Sequence, residues 1–205
     1  MSFLGWPVEQ HALSERTRRR RKATALRIIE SFAATFVDVE YDLLWENPTI
    51  NAQAWLSADG RHVTVCGGLV RHPLITGSGV ALMLAHETGH HLGGPPFDPD
   101  LRYLTWQGQA DYWAARQGMP RVFGPNARRL TFRGAGEIAA LHAEFTDDQP
   151  DLSATDRSTI FRAGALGESP PACFYEAFDR LLEERRTYAN LKATRETCVM
   201  PGARN

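Results

Sequence analysis

The sequence predicts an α+β fold, in which a small and mostly antiparallel sheet packs on a helix and the C-terminal part is helical. Three or four short segments with strand-like alternation follow one another between about residues 37 and 66. Helical periodicity dominates before and after them. Strands grouped in this way favour α+β over alternating βαβ units. The length of 205 residues fits one domain covering residues 1–205.

Each element has its own local signal. Apolar residues at three- and four-residue spacing predict a first helix over about residues 14–36. Alternation and turn residues predict strands over 37–43, 50–56 and 61–65. A helix over 78–92 ends at a pair of glycines followed by two prolines. The later helices are predicted at residues 104–117, 135–145, 155–163 and 173–192.

Composition excludes several classes of protein. A formal net charge of −1 argues against nucleic acid as the main partner. The arginine run at residues 18–22 is interpreted as a solvated helix start, with an RNA or anionic-lipid patch as the alternative.

No segment is long and apolar enough to predict a membrane span, and no signal peptide is recognised, so a cytoplasmic location is expected. Three cysteines predict reduced thiols; Cys173 and Cys198 form a pair only if the chain is exported.

The sequence His86-Glu87-Thr-Gly-His90 provides the strongest chemical signal. On a helix, residues four apart lie on one face, so both imidazoles can bind the same metal ion. Tetrahedral zinc suits such a pair of histidines. Glu87 is then placed to accept a proton from a water molecule that attacks a carbonyl. These residues predict a zinc site with Glu87 as the general base.

A catalytic zinc ion needs a third protein ligand. A histidine or aspartate six residues after the second ligand is one solution, but Pro96 stands at that position and cannot bind a metal. A second helix further along the chain is the other solution. The segment from Gln107 through Asp111 to Ala114 is the one that the sequence offers.

With both helices in place, the sequence resembles the gluzincin metallopeptidases, in particular soluble relatives of the CAAX prenyl protease and heat-shock membrane protease group. That family combines a His-Glu-x-x-His helix with a Glu-x-x-Ala-Asp helix. Asn51-Ala52 and the glycine-ended strand at residues 63–69 also resemble family segments, and the similarity covers about residues 47–115. The resemblance implies hydrolysis of a peptide or protein substrate. The strand that contains Asn51 and Ala52 would pair with this substrate through main-chain hydrogen bonds.

One position departs from the family pattern. Gln107 stands where the family has its ligand glutamate. Three outcomes follow: Gln107 binds the metal weakly, Asp111 replaces it as a direct ligand, or the site is degenerate. The last outcome would make the chain a pseudo-metalloprotease that acts as a binding or regulatory module. A nucleic-acid adaptor built on the arginine run is a third, less favoured interpretation.

Other candidates have weaker signals. A developing oxyanion needs a nearby donor, and the sequence offers His142, Tyr112, Arg128 and Arg129. His142 also fits a core position, on a predicted helix with Ile138 and Leu141. His62 and His72 flank the strand region and are expected at the surface.

Overall fold

The computed structural model describes residues 13–144 and 152–197, with residues 189–197 described by their backbone alone. It confirms the α+β fold and the helical C-terminal part. The strands are β1 (Val39–Leu44), β2 (Ala52–Leu56) and β3 (Arg61–Cys66). The helices are α1 (Glu15–Thr35), α2 (Gly67–Arg71), α3 (Gly77–Leu92), α4 (Gln107–Trp113), α5 (Met119–Phe123), α6 (Ala127–Glu144), α7 (Ala154–Leu166) and α8 (Ala172–Thr197). Within the described ranges, no helix is both long and apolar enough to span a membrane.

The sheet has the order β1-β3-β2. The expected antiparallel pairing is found between β2 and β3, which form a hairpin with Gly60 at a positive φ of 148° in the turn. The pairing of β1 with β3 is parallel. Strand β1 pairs with the side of β3 that the hairpin leaves free, and it runs in the direction of β3 and opposite to β2. Among the described residues, β2 is therefore an edge strand.

Helix α3 is the centre of the fold. Every residue from Ser78 to His90 is buried, and its apolar side chains share one core with α1, the inner face of the sheet and α6. Its N-terminus receives a carboxylate from α6, since Glu137 accepts the main-chain N–H groups of Thr76 and Gly79 at 2.8 and 2.9 Å. Negative charge at this end stabilises the helix dipole. The position of α3 is thus fixed along its whole length.

One arginine of the run in helix α1, Arg21, makes structural contacts. Nη1 of Arg21 donates to the carbonyl oxygens of Val70, His72 and Ile75 at 2.6–3.0 Å, across the connection between α2 and α3. The interpretation of the whole run as solvated was therefore wrong at this position. A guanidinium group offers several donors, and the carbonyl groups at the end of a short helix need such partners.

Two predicted helices differ from the observed ones. The helix expected from residue 104 begins at Gln107, because residue 105 is extended and forms a bridge with Phe97. Its second half is a π-helical turn, Ala114–Gly118, that leads into α5. The helix expected from residue 135 begins eight residues earlier, at Ala127. Glycines at 134 and 136 weakened the helical signal there, but tertiary packing supports the helix.

Two histidines expected at the surface are buried. His62 lies on β3 with its ring stacked on Trp55, and its Nε2 and Nδ1 atoms contact Ser57 and Glu40 at 2.8 and 3.2 Å. His72 follows α2, and its Nε2 atom lies 3.1 Å from a carboxylate oxygen of Glu144. In each case a carboxylate partner supplies the polar contact that burial of an imidazole requires.

Candidate metal centre

The two histidines of the His-Glu-x-x-His motif face each other on α3. The four-residue spacing brings their Nε2 atoms to within 3.1 Å of each other, with the rings nearly perpendicular. Both side chains are buried, at 0% and 4% exposure for His86 and His90. The expected placement of both imidazoles on one face of the helix is confirmed.

The other nitrogen of each ring has an acceptor. Nδ1 of His86 lies 2.6 Å from Oδ1 of Asp111, and Nδ1 of His90 lies 2.7 Å from the carbonyl oxygen of Thr105. A carbonyl oxygen can only accept, and so can an ionised carboxylate. Each Nδ1 atom therefore holds the ring proton, and the two Nε2 lone pairs point toward each other.

A proton on one of the two Nε2 atoms would remove the repulsion between their lone pairs, but burial disfavours this protonation. Burial lowers the pKa of His86 and of His90 well below the usual value for histidine. The positive charge of Arg157 adds to this effect, as a secondary cause, at both residues. Both imidazoles are thus held neutral, which is the form that binds metals.

Glu87 completes a group that can hold a metal ion. Ligand atoms of His86, Glu87 and His90 all lie within 4.8 Å of one another. Oε2 of Glu87 accepts the main-chain N–H of Ala54 at 2.9 Å, which ties the carboxylate to strand β2. Burial raises the pKa of Glu87 to about 7. A carboxyl group with such a pKa can exchange a proton near neutral pH.

Helix α4 brings Gln107 and Asp111 to the two histidines, but to different sides. Asp111 is fully buried behind His86, on the Nδ1 side of the ring and away from the facing Nε2 atoms. Gln107 lies next to His86 and raises the pKa of that imidazole as a minor effect. Its Oε1 atom is buried without a hydrogen bond of acceptable geometry to any residue that the structure describes. Gln107 is therefore the α4 side chain with an oxygen still available to a ligand.

Arg157 of α7 also belongs to this group of buried side chains, and the sequence analysis did not predict it. Its Nε and Nη2 atoms donate to Oδ2 and Oδ1 of Asp111 at 2.8 and 2.6 Å. Both partners are buried, at 4% and 0% exposure. This bidentate contact compensates the carboxylate charge and fixes its orientation toward His86. The start of α7 has a capping box on Ser153 and Asp156, but this signal predicts the helix and not the residue that its inner face presents.

The predicted substrate residues lie at the beginning of β2. Ala52 pairs with Val65 of β3, and the carbonyl of Asn51 accepts the N–H of Cys66 at 2.9 Å. Oδ1 of Asn51 is buried and has no hydrogen-bond partner among the residues described. The direct link from β2 to the site comes through Ala54.

The four candidate oxyanion donors differ in their burial and in their partners. Tyr112 donates its hydroxyl proton to the carbonyl of Glu168 at 2.7 Å, and Arg128 and Arg129 are exposed on α6. His142 is buried, and both Arg157 and Asp111 influence its pKa, so it lies near the polar cluster behind His86. Burial lowers the pKa of His142 to about 4, which makes it a neutral core histidine at neutral pH.

Two cysteines are described, and both Cys66 and Cys173 are free thiols. Cys198 lies outside the described residues, so the alternative pairing with Cys173 stays a prediction.

No family model, no curated protein and no solved structure matches the chain.

Proposed function

We propose that the protein is a zinc-dependent metallopeptidase that hydrolyses a peptide bond. The observation that supports this proposal best is the pair of facing Nε2 atoms, 3.1 Å apart, on imidazoles whose Nδ1 atoms are already bound to Asp111 and Thr105. Two lone pairs at this distance repel each other unless a cation lies between them. Since burial disfavours a proton at both rings, a metal ion is the cation that the donor set fits.

The geometry and the donor types agree with zinc. Two zinc–nitrogen bonds of ~2.0–2.1 Å at a tetrahedral angle hold their nitrogens about 3.3 Å apart, close to the observed 3.1 Å. His86 and His90 would hold the ion, with the amide oxygen of Gln107 as the third protein ligand. Asp111 orients His86 from the opposite side of its ring, as a partner of the ligand and not as a ligand itself.

The zinc ion and the protein residues would have different roles in the hydrolysis. Zinc, when bound, polarises the peptide carbonyl and lowers the pKa of a bound water molecule. Glu87 accepts the proton of the water as it attacks the carbonyl carbon, and passes it to the leaving amine. The N–H of Ala54 holds Oε2 of Glu87, so that the carboxylate keeps a fixed position during this transfer.

Strand β2 supplies a place for the substrate backbone. The N–H of Ala54 points to Glu87 and not to β3. In an antiparallel pair the main-chain groups alternate in direction every residue, so those of Ala52 also face away from β3. Since the N–H of Ala54 is already bound to Glu87, an extended peptide adding to this edge would bond the main-chain groups of Ala52, beside Asn51.

The rival proposal is a pseudo-metalloprotease that binds a partner without cleaving it. Gln107 motivates this alternative, because a neutral amide oxygen is a weaker zinc ligand than a carboxylate. The burial of all three motif residues also restricts access to the site.

The deciding experiment measures metal content and cleavage on the same samples. Elemental analysis of protein purified without chelator or an affinity tag should find one zinc per chain, lost on His86→Ala or His90→Ala. Glu87→Gln should retain zinc and lose cleavage of a peptide library, since an amide cannot take the proton. A wild type that holds zinc and cleaves nothing supports the rival proposal. A wild type that refuses added zinc refutes the zinc-peptidase proposal.

A further inference from the structure

A cleft of about 80 Å³ opens beside the candidate metal centre. His90 of α3, Gln107 of α4 and Ala54 of β2 are among its lining residues. The loop between α3 and α4 contributes two leucines, Leu101 and Leu104, together with Thr105 and one carboxylate, Asp98. The cleft therefore joins the proposed metal ligands to a loop that offers two apolar side chains and one negative charge.

Asp98 is held in place by its own loop. Its main-chain N–H donates to the carbonyl of Leu104 at 2.9 Å. Its Oδ1 atom accepts the N–H groups of Asp100 and Leu101, both at 2.8 Å. These contacts fix the side chain without neutralising its charge, because a peptide N–H carries no net charge.

The carboxylate of Asp98 has no ion-pair partner among the described residues, whereas the neighbouring Asp100 pairs with Arg185 at 2.7 Å. A half-buried carboxylate without a counter-ion, at the wall of a cleft, attracts a cation from outside.

We infer that this cleft binds a lysine side chain of the substrate, next to the bond that is cleaved, and that Asp98 selects it by charge. This inference rests on the proposed peptidase function, which it deepens by naming a substrate class. The two leucines would cover the aliphatic stem of the lysine, and Asp98 would receive its ammonium group. Gln53, which also lines the cleft, offers an amide oxygen to the same group.

The size of the cleft agrees with such a side chain. One water molecule needs ~10–15 Å³ of space measured in this way, so about 80 Å³ accepts on the order of five water-sized groups. A lysine side chain, with five heavy atoms beyond Cα, matches this number.

The test compares Asp98→Asn with Asp100→Asn. Asparagine keeps an oxygen that accepts the two loop N–H groups, so Asp98→Asn removes the charge and retains the turn. Asp100→Asn removes one carboxylate from the same loop and serves as the matched control. The probes are two fluorescein-labelled peptides that differ only by lysine or norleucine at one position, which isolates the ammonium group.

Two readouts are used, because a variant can lose peptide binding and peptide cleavage independently of each other. Fluorescence anisotropy on zinc-loaded Glu87→Gln protein measures binding without turnover, and the wild-type background measures cleavage. We expect the lysine peptide to bind roughly fivefold tighter than the norleucine peptide, as for an ion pair of ~1 kcal/mol. This preference should vanish in Asp98→Asn and persist in Asp100→Asn.

The outcomes separate the two proposals. Cleavage of both peptides at equal rates and equal binding would overturn the lysine cleft and leave the peptidase intact. A lysine preference that survives Asp98→Asn would overturn the role of Asp98. Lysine-selective binding that depends on Asp98, without any cleavage, would support the cleft and refute the peptidase.

Discussion

Arg157 binds both carboxylate oxygens of Asp111, and Oδ1 of Asp111 also contacts Nδ1 of His86, so that three buried side chains from α7, α4 and α3 form one connected group. Nη2 of Arg157 lies 3.4 Å from Nδ1 of His86, so the two cationic or donor groups meet the carboxylate from neighbouring directions. The other ring nitrogen of His86, Nε2, faces His90. A carboxylate that binds both a guanidinium group and an imidazole must share its negative charge between them. Arg157 thereby limits how strongly Asp111 favours protonation of His86, while it keeps the acceptor in place.

The first prediction concerns Asp111. Asp111→Asn should weaken zinc affinity about 10–100-fold, the usual loss when the partner of a metal-binding histidine is removed. The amide can present an NH₂ group to Nδ1, which would favour the wrong ring tautomer. Competitive titration against a chromophoric chelator measures the change. Unchanged affinity in a variant that folds normally would exclude Asp111 from the site.

The second prediction concerns Arg157. Arg157→Met leaves the Asp111 carboxylate buried without its cationic partner, and should lower the free energy of unfolding by about 3–5 kcal/mol. Urea denaturation of the zinc-free protein measures this loss. Arg162→Met, an exposed position on the same helix, is the control and should cost less than about 1 kcal/mol. Equal effects at both positions would show that the buried contact contributes nothing.

The sequence was sufficient to predict those parts of the site that depend on local periodicity. His86 and His90 share a helix face because of their spacing, and Gln107 and Asp111 do so for the same reason. The α+β fold also followed from the order of strand and helix signals, and the structure confirms it.

What the sequence did not predict depends on contacts between distant segments. Arg157 reaches Asp111 across 46 positions of chain, and nothing in its neighbourhood distinguishes it from the other arginines. The acceptor for His90 is a main-chain carbonyl, at Thr105, and any residue type could supply it. The parallel pairing of β1 with β3 likewise joins two segments that β2 separates in the chain, and the alternation within a strand does not reveal its direction.

The third prediction concerns Gly89, inside the motif. A Cβ atom there would lie 2.8 Å from the carbonyl oxygen of Ala110 and 3.1 Å from its Cα atom, where α3 crosses α4. Gly89→Ala should therefore separate the two helices and destabilise the protein by about 1–3 kcal/mol. Zinc affinity should fall as well, although no ligand is altered.

Gly136 provides the matched control. It lies in helix α6, and a Cβ atom there would meet nothing within 4 Å. Gly136→Ala should stabilise the protein by about 0.5–1 kcal/mol, since alanine is the better helix former, and should leave zinc affinity unchanged. Thermal denaturation and zinc titration of both variants test the pair. If Gly89→Ala behaves like Gly136→Ala, the close approach of α3 and α4 does not constrain the site.

The last prediction concerns Gln107, on which the choice between an active enzyme and a binding module depends. Its Oε1 atom is buried without a hydrogen bond of acceptable geometry among the described residues, and its side chain lies next to His86. Gln107→Glu keeps the shape of the side chain and replaces a neutral oxygen by a charged one. If Gln107 is the third ligand, this change should raise zinc affinity at least tenfold, because the carboxylate adds charge attraction to the same contact. The control is Gln109→Glu on the same helix, where the amide donates to the carbonyl of Gly93 and should not affect the metal. Cleavage of the peptide library should rise together with affinity if incomplete zinc loading limits the wild type. An affinity that stays constant in Gln107→Glu would place the third ligand elsewhere, and the assignment of α4 as the second ligand helix would be wrong.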